Sequence, residues 1–422
     1  MLRRAAPWLL FALGSVGLLV ALAFWQRNGY WEYSDGVYAA SARELIHGRD
    51  LYGQMAGAQP PLVYLVGALL LAIHDGLASI RAGMALFDLV TAALVVVAVW
   101  RLTARRWLAA GSGLVALFLP WSLHEHAQLT PETLGAPLIL GSALLAARAP
   151  RAALAGALGA VAIACKLAFG LPALLVVLAA AAPRRALAWL VACSVALAVI
   201  GTVVFGTDLW RETVVAQLQV GSHALHYVGG LWAQAAWNLV PLGIPAVGAL
   251  VLRERAKEPR LVITTAAAAL GGLLLIATVY KNGTYLNVVQ LCEPPLLVLA
   301  AAGAAWLVET KALAPLVAAV CLALLGVAQV GSLLAAPGNP RPFARPFSAG
   351  APGRALSPAA VDAATRAARG CPPTVAYSGV PYLAFEANRR MPGHQPDQFI
   401  IANAREDARF ARQAAADQPR CP

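Results

Sequence analysis

The sequence predicts an all-helical, polytopic membrane protein of about eleven transmembrane helices. Interfacial helices are expected on its outer face, and a small exported α/β segment at its C-terminus. Three observations carry this. Of 422 residues, 60% are hydrophobic and only 12% charged, far from the soluble norm. Apolar runs close to bilayer-spanning length recur along most of the chain. The basic residues behind the net charge of +12 fall in short clusters between those runs: Arg3-Arg4, Arg101 with Arg105-Arg106, Arg148 with Arg151, Arg184-Arg185, Arg253 to Arg260, and Lys311. Such clusters mark cytoplasmic loops. A nucleic-acid partner would require one continuous basic face, so none is predicted.

The apolar segment Pro7–Trp25 follows Leu2-Arg3-Arg4. It is long for a signal-peptide core and lacks a small-x-small cleavage site, so it reads as a retained first helix running outward. The polar loop "SDGVYAASARELIHGRDLYGQMAGAQPPLVY" (Ser34–Tyr64) then lies outside. The apolar stretch Pro61–Ile73 is short for a span and reads as an interfacial helix. Were it a span, the Arg101–Arg106 cluster would fall outside. The remaining spans are expected at 80–102, 107–123, 133–147, 152–167, 168–182, 186–206, 232–252, 261–280, 288–308 and 312–335. The N-terminus is then inside and the C-terminus outside.

From about Ala336 the composition changes. "PGNPRPFARPFSAGAPGR" marks a linker, dividing the chain into a membrane part (1–335) and an exported part (336–422). In the latter, Pro358–Arg369 reads as a helix and Thr374–Phe385 as one or two strands. Cys165, Cys193, Cys292 and Cys321 lie in apolar runs and read as small hydrophobes. Cys371 and Cys421 flank the exported tail, where a disulfide is expected in an oxidising compartment. The sequence holds no CxxC pair, P-loop, GxGxxG or HExxH.

This topology gathers the reactive side chains on the outer face: Asp35, His124-Glu125-His126, Glu132, Lys166, His223, His226, Lys281 and Tyr285. Only four of the 32 basic residues are lysines, and two of these, Lys166 and Lys281, lie outside against the charge rule. An ionisable group at membrane depth is costly and marks a functional site by default, although a lysine can also snorkel to the interface. Asp35 stands at the mouth of the first helix. It is either catalytic or an N-cap to a helix Gly36–Ile46, and both roles are compatible. His124-Glu125-His126 suggests a metal, but i, i+2 spacing does not put two imidazoles on one helix face. A hydrated loop is the plainer reading. No metal ligand set and no cofactor are assigned, with a divalent cation left open.

Four segments together resemble GT-C glycosyltransferases, the polytopic enzymes that use polyprenyl-phosphate sugars. The similarity is to the branch containing protein O-mannosyltransferases and the lipid A aminoarabinose transferase. The segments are "YSDGVYAASARELIHGRDLYG…QPPLVY", Ile80–Arg106, "AIACKLAFGLPALL" (Ala162–Leu174) and "YKNGTYLNVVQLCEPPLLVLAAAG" (Tyr280–Gly303), in the expected order. Three positions depart from the pattern. Gly36 follows Asp35 where the family often has Glu, Glu132 comes after Pro131, and Gln59 precedes Pro60-Pro61.

The resemblance implies a hexosyl- or pentosyltransferase with a polyprenyl-phosphate-sugar donor. The acceptor would be a lipid, glycan or protein at the outer face of the bacterial cytoplasmic membrane. It implies Asp35 and Glu132 as catalytic carboxylates, since acceptor attack needs a base. Arg81, Lys166, Lys281 and Tyr285 would hold the donor phosphate, because the departing phosphate gains charge. Tyr38 and His126 would touch substrate. Two other readings compete: a transporter of lipid-linked sugars, which should show broken charged helices in related halves, and an inactive scaffold of the same fold.

Overall fold

The computed structural model describes residues 2–25, 33–281 and 286–310, positions 323 and 327, and in the tail 358–372, 374–403, 408–417 and 420–421. The expected last span (312–335) apart from those two positions, the Pro-rich linker and Tyr285 lie outside the described residues.

Helix dominates because it satisfies its own backbone polar groups where water is excluded. Four helices are long and apolar enough, by length and composition, to cross a membrane: Leu77–Thr103, Pro183–Phe205, Leu225–Val251 and Pro259–Tyr280. The chain is a polytopic α-helical membrane protein. On Pro183–Phe205 the exposed Val191, Val195, Val199 and Val203 recur at helical spacing, an apolar face suited to lipid. Inside, helices meet through small residues. A Cβ on Gly303 would stand 1.9 Å from the Pro245 carbonyl oxygen, so only glycine permits that crossing.

Other expected spans are shorter or divided. The run 107–123 is two helices, Arg106–Ala116 and Pro120–His124. Leu119 is extended (ψ 142°), as a residue before proline tends to be. The runs 133–147, 152–167 and 168–182 appear as Pro131–Ala146, Ala152–Cys165 and Leu167–Leu178. Lys166 is the extended residue (φ −158°, ψ 125°) between the last two, so this hairpin turns on the lysine itself. Leu62–Ile73 buries Val63, Tyr64, Gly67, Ala68 and Leu71 and exposes Leu65, Leu69 and Ile73, the two-faced pattern of an element at a boundary.

Three basic clusters assigned to one side do converge. Glu258 accepts from Arg101 Nε (3.1 Å) and Arg148 Nη2 (2.6 Å), and Arg105 pairs with Glu309. Asp35, Arg81, Glu125, Glu132, Lys166 and Lys281 belong to the opposite end of these helices.

The tail packs on that opposite end. Its helix Pro358–Gly370 is as expected, and Cys371 and Cys421 form a disulfide, Cα to Cα 6.0 Å. The segment Thr374–Phe385 differs from the expectation of one or two strands. Only Ala376–Tyr377 is a strand, paired in parallel with Arg420–Cys421, and Pro381–Glu386 is a helix with Pro381 in its first turn. Proline fits that position because its missing N–H is unpaired there anyway.

Candidate active site

The helix after the first span begins at Tyr33, not at Gly36. Asp35 therefore sits in the first turn, and its role as an N-cap is corrected. Its carboxylate instead reaches across to another loop. Oδ1 accepts from the Leu129 N–H (2.7 Å) and Oδ2 from Arg81 Nη2 (2.6 Å), with no solvent exposure. Arg81 lies near the start of Leu77–Thr103. It also donates to the Ala127 carbonyl (2.9 Å) and interacts electrostatically with Tyr382. The cation expected at the donor phosphate stands on the carboxylate expected as base.

The loop 125–130 is built, not hydrated, which corrects the plainer reading of His124-Glu125-His126. Buried backbone polar groups need partners, and two carboxylates from apolar runs supply them. Asp88 Oδ2 accepts from the Ala127 N–H (3.0 Å) and lies 2.7 Å from His126 Nδ1. Glu293 accepts from the N–H groups of Trp121 and Ser122 (3.0 Å each), the unpaired donors of a helix start. Ala127 takes a left-handed conformation (φ 57°), so its N–H serves Asp88 while its carbonyl serves Arg81. His126, expected to touch substrate, is 2% exposed and held on Asp88. Among the described residues no three His, Cys, Asp or Glu side chains converge as a metal site requires.

Thr130 caps the next helix by accepting from the Thr133 N–H (3.4 Å), and Glu132 lies in that helix's first turn. Glu132 Oε1 accepts from Lys166 Nζ (2.6 Å). Oε2 is buried and has no hydrogen bond among the described residues. Glu125 is buried nearby. Burial, then the charges of Glu132 and Asp35, push its carboxyl well above the usual range. Two carboxylates are thus each paired with a basic side chain, Asp35 with Arg81 and Glu132 with Lys166. Lys281 donates to Gln217 Oε1 (2.5 Å). Burial, then the Lys166 charge, lowers its amine to about 8. Tyr38 is packed, its ring edge-on to Tyr64 with centroids 5.5 Å apart.

The structure thus brings Asp35 to Arg81 and Glu132 to Lys166, holds His126 on Asp88 and Tyr38 against Tyr64, and adds Asp88, Glu125, Glu293 and Tyr382. Two crystal structures of ArnT from Cupriavidus metallidurans are similar. The one bound to undecaprenyl phosphate matches at a TM-score of 0.62 and 15% identity, over 97% of this chain and 88% of that one. The chain has the fold of ArnT. The apo structure matches at 0.58 and 16% identity, over 94% and 89%. A GT-C-like fold is what the resemblance in sequence implies. No family model matches the chain, and no curated protein matches it in sequence.

Proposed function

We propose that the chain is an integral membrane glycosyltransferase that moves a sugar from a polyprenyl-phosphate donor to an acceptor at the outer face of the cytoplasmic membrane. The observation that carries this is the pairing of each candidate carboxylate with a candidate phosphate-binding cation at one end of the fold: Asp35 with Arg81, and Glu132 with Lys166. The ArnT structure with undecaprenyl phosphate supports a donor of that class.

A donor phosphate competes for the same N–H groups. When Arg81, still held in place, gives its Nη2 N–H to the phosphate, Oδ2 of Asp35 is released to take the acceptor proton. Lys166 and Lys281 add positive charge where the leaving phosphate develops negative charge. Glu132, with one oxygen already unengaged among the described residues, is the second base candidate. The division into a membrane part (1–335) and an exported part (336–422) goes with this reading, the exported part lying over the site.

The test is turnover. Purified full-length protein, given a panel of undecaprenyl-phosphoryl sugars, is expected to release undecaprenyl phosphate with at least one of them. Movement of the intact lipid-linked sugar across vesicles, without release, would establish a transporter instead. Sidedness is tested by labelling cysteines placed at Arg105 and Arg255, which should be reachable from the cytoplasmic side alone.

A further inference from the structure

The tail helix Pro381–Glu386 touches both elements that carry the Asp35–Arg81 pair. On the first, it presses on Gly36. A Cβ there would stand 2.5 Å from the Tyr382 backbone nitrogen and 2.8 Å from its Cα. Both are backbone atoms, which cannot swing aside as a flexible side chain would, so no larger residue fits beside Asp35 while this helix is docked. On the second, the tail's small core of Cys371, Tyr377, Val380, Leu383 and Met391 packs against Leu77. Leu77 lies one helical turn before Arg81, on the same face. Arg43 fixes the far end of the tail helix. It donates to the Phe385 carbonyl (2.6 Å) and lies 3.7 Å over the Phe385 ring.

Between these anchors the Tyr382 side chain meets the pair itself. The Tyr382 hydroxyl faces the Arg81 guanidinium and the Asp35 carboxylate, close enough to interact electrostatically with both. Its backbone is fixed on Gly36, its side chain is buried and its hydroxyl faces the guanidinium. These are the features of a group that sets where Arg81 can lie.

We propose that Tyr382 is a positioning residue of the transfer reaction, and that the exported tail forms one wall of the active site by holding Arg81 in register with Asp35. This rests on the glycosyltransferase reading. The local sequence agrees: this chain carries glycine directly after Asp35, and the space a side chain would fill there is taken by Tyr382. A side chain that fixes a guanidinium acts on orientation, and a misplacement of about 1 Å can cost on the order of 10²-fold in rate.

The experiment uses the full-length protein in lipid nanodiscs and three variants. Tyr382→Phe removes the hydroxyl and keeps the ring on Gly36. Gly36→Ala displaces the tail helix. Tyr377→Phe removes a different buried hydroxyl of the tail and is the control. Undecaprenyl-phosphoryl mannose, or whichever sugar of the panel supports turnover, serves as donor. Hydrogen exchange of peptides covering 33–46 and 77–84 is read alongside.

Tyr382→Phe is expected to keep the thermal midpoint and the donor KM, to lower kcat by roughly 10–10²-fold, and to speed exchange in both peptides. Gly36→Ala should lower kcat at least as far, and Tyr377→Phe should match wild type in all readouts. Wild-type kcat and unchanged exchange in Tyr382→Phe would overturn the proposal, as would an equal loss in Tyr377→Phe. If wild type turns over no polyprenyl-phosphate sugar, the glycosyltransferase reading fails by itself. Exchange at 33–46 and 77–84 then decides alone whether Tyr382 holds the pair.

Discussion

The two ends of the helices use the same chemistry in opposite ways. At one end Glu258 is shared by Arg101 and Arg148, and its side chain keeps 23% of its exposure while that of Arg148 keeps 46%. Hydrogen bonding from Arg101 first, and then from Arg148, holds its carboxyl down to about 2. At the other end the Asp35 and Glu132 carboxylates have no exposure at all. A third carboxyl, Glu125, is pushed up beside them, and a Glu132 oxygen lacks a partner among the described residues. A wet cluster with cations in excess locks loops together. A dry cluster whose carboxylates are enclosed, with one Glu132 oxygen left without a partner among the described residues, has costs that a purely structural site would avoid. The contrast supports chemistry at the second end only.

The largest effect is expected from Asp35→Asn. Loss of the base should reduce turnover per folded molecule by roughly 10²–10⁴-fold. Because the Asp35–Arg81 pair is enclosed, the change should also cost about 3 kcal/mol of stability, in the range for breaking a buried pair. Thermal unfolding measured beside single-turnover rates separates the two. Near-normal turnover would move the base to Glu132.

Next in size is the disulfide. Cys371 and Cys421 are 50 residues apart, and closing such a loop contributes about 4 kcal/mol in the chain-entropy account. Cys371→Ser with Cys421→Ser should therefore loosen the tail and, through Tyr382, slow turnover. The Arg101–Glu258–Arg148 end should be unaffected. Limited proteolysis that cut the tail and those inner loops equally fast would show that the two ends are not independent.

Much of this contrast was legible in the sequence, for physical reasons. The charge rule acts on loops, so the arginine clusters announced the Glu258 end, and the rare lysines apart from those clusters announced Lys166 and Lys281. Cys371 and Cys421 bracketed the tail. What escaped were lone carboxylates inside apolar runs. Asp88 in "LFDLV" and Glu293 in "LCEPP" vanish from a hydropathy average, although each is an ionisable group at membrane depth and so carried a signal. Tyr382 gave none, because its partners Gly36 and Arg81 lie hundreds of residues away. The helix at Pro381 was readable from its proline and was obscured by the β-favouring residues around it.

A smaller effect is expected from pH. Lys281, lowered to about 8 by burial and then by Lys166, loses its charge in the folded protein well before the ordinary lysine value of 10.5. Between those two values the unfolded chain binds more protons, so stability should rise with pH in that window. Binding of undecaprenyl phosphate should move the other way. It should weaken as pH climbs through about 8, by at most about tenfold per unit for a single group. Lys281→Arg should flatten this decline, because guanidinium stays charged. A titration with the same pH profile in both proteins would remove Lys281 from the phosphate site.

The smallest effect should come from Glu258→Gln. The Glu258 carboxyl is depressed from 4.5 to about 2, so its contribution is present above about 4.5 and lost as pH falls towards about 2. One partner is nearly half exposed, and pairs open to solvent are worth only about 0.5–1 kcal/mol and are screened by salt. Glu258→Gln should therefore cost about that much at neutral pH and low salt. It should flatten the acid limb of the stability curve and lose its effect in high salt. Turnover should not change, because no part of this cluster reaches the Asp35 end. That last measurement is the sharpest test of the division between the ends: a fall in turnover comparable to that of Asp35→Asn would mean that the helices couple the two clusters.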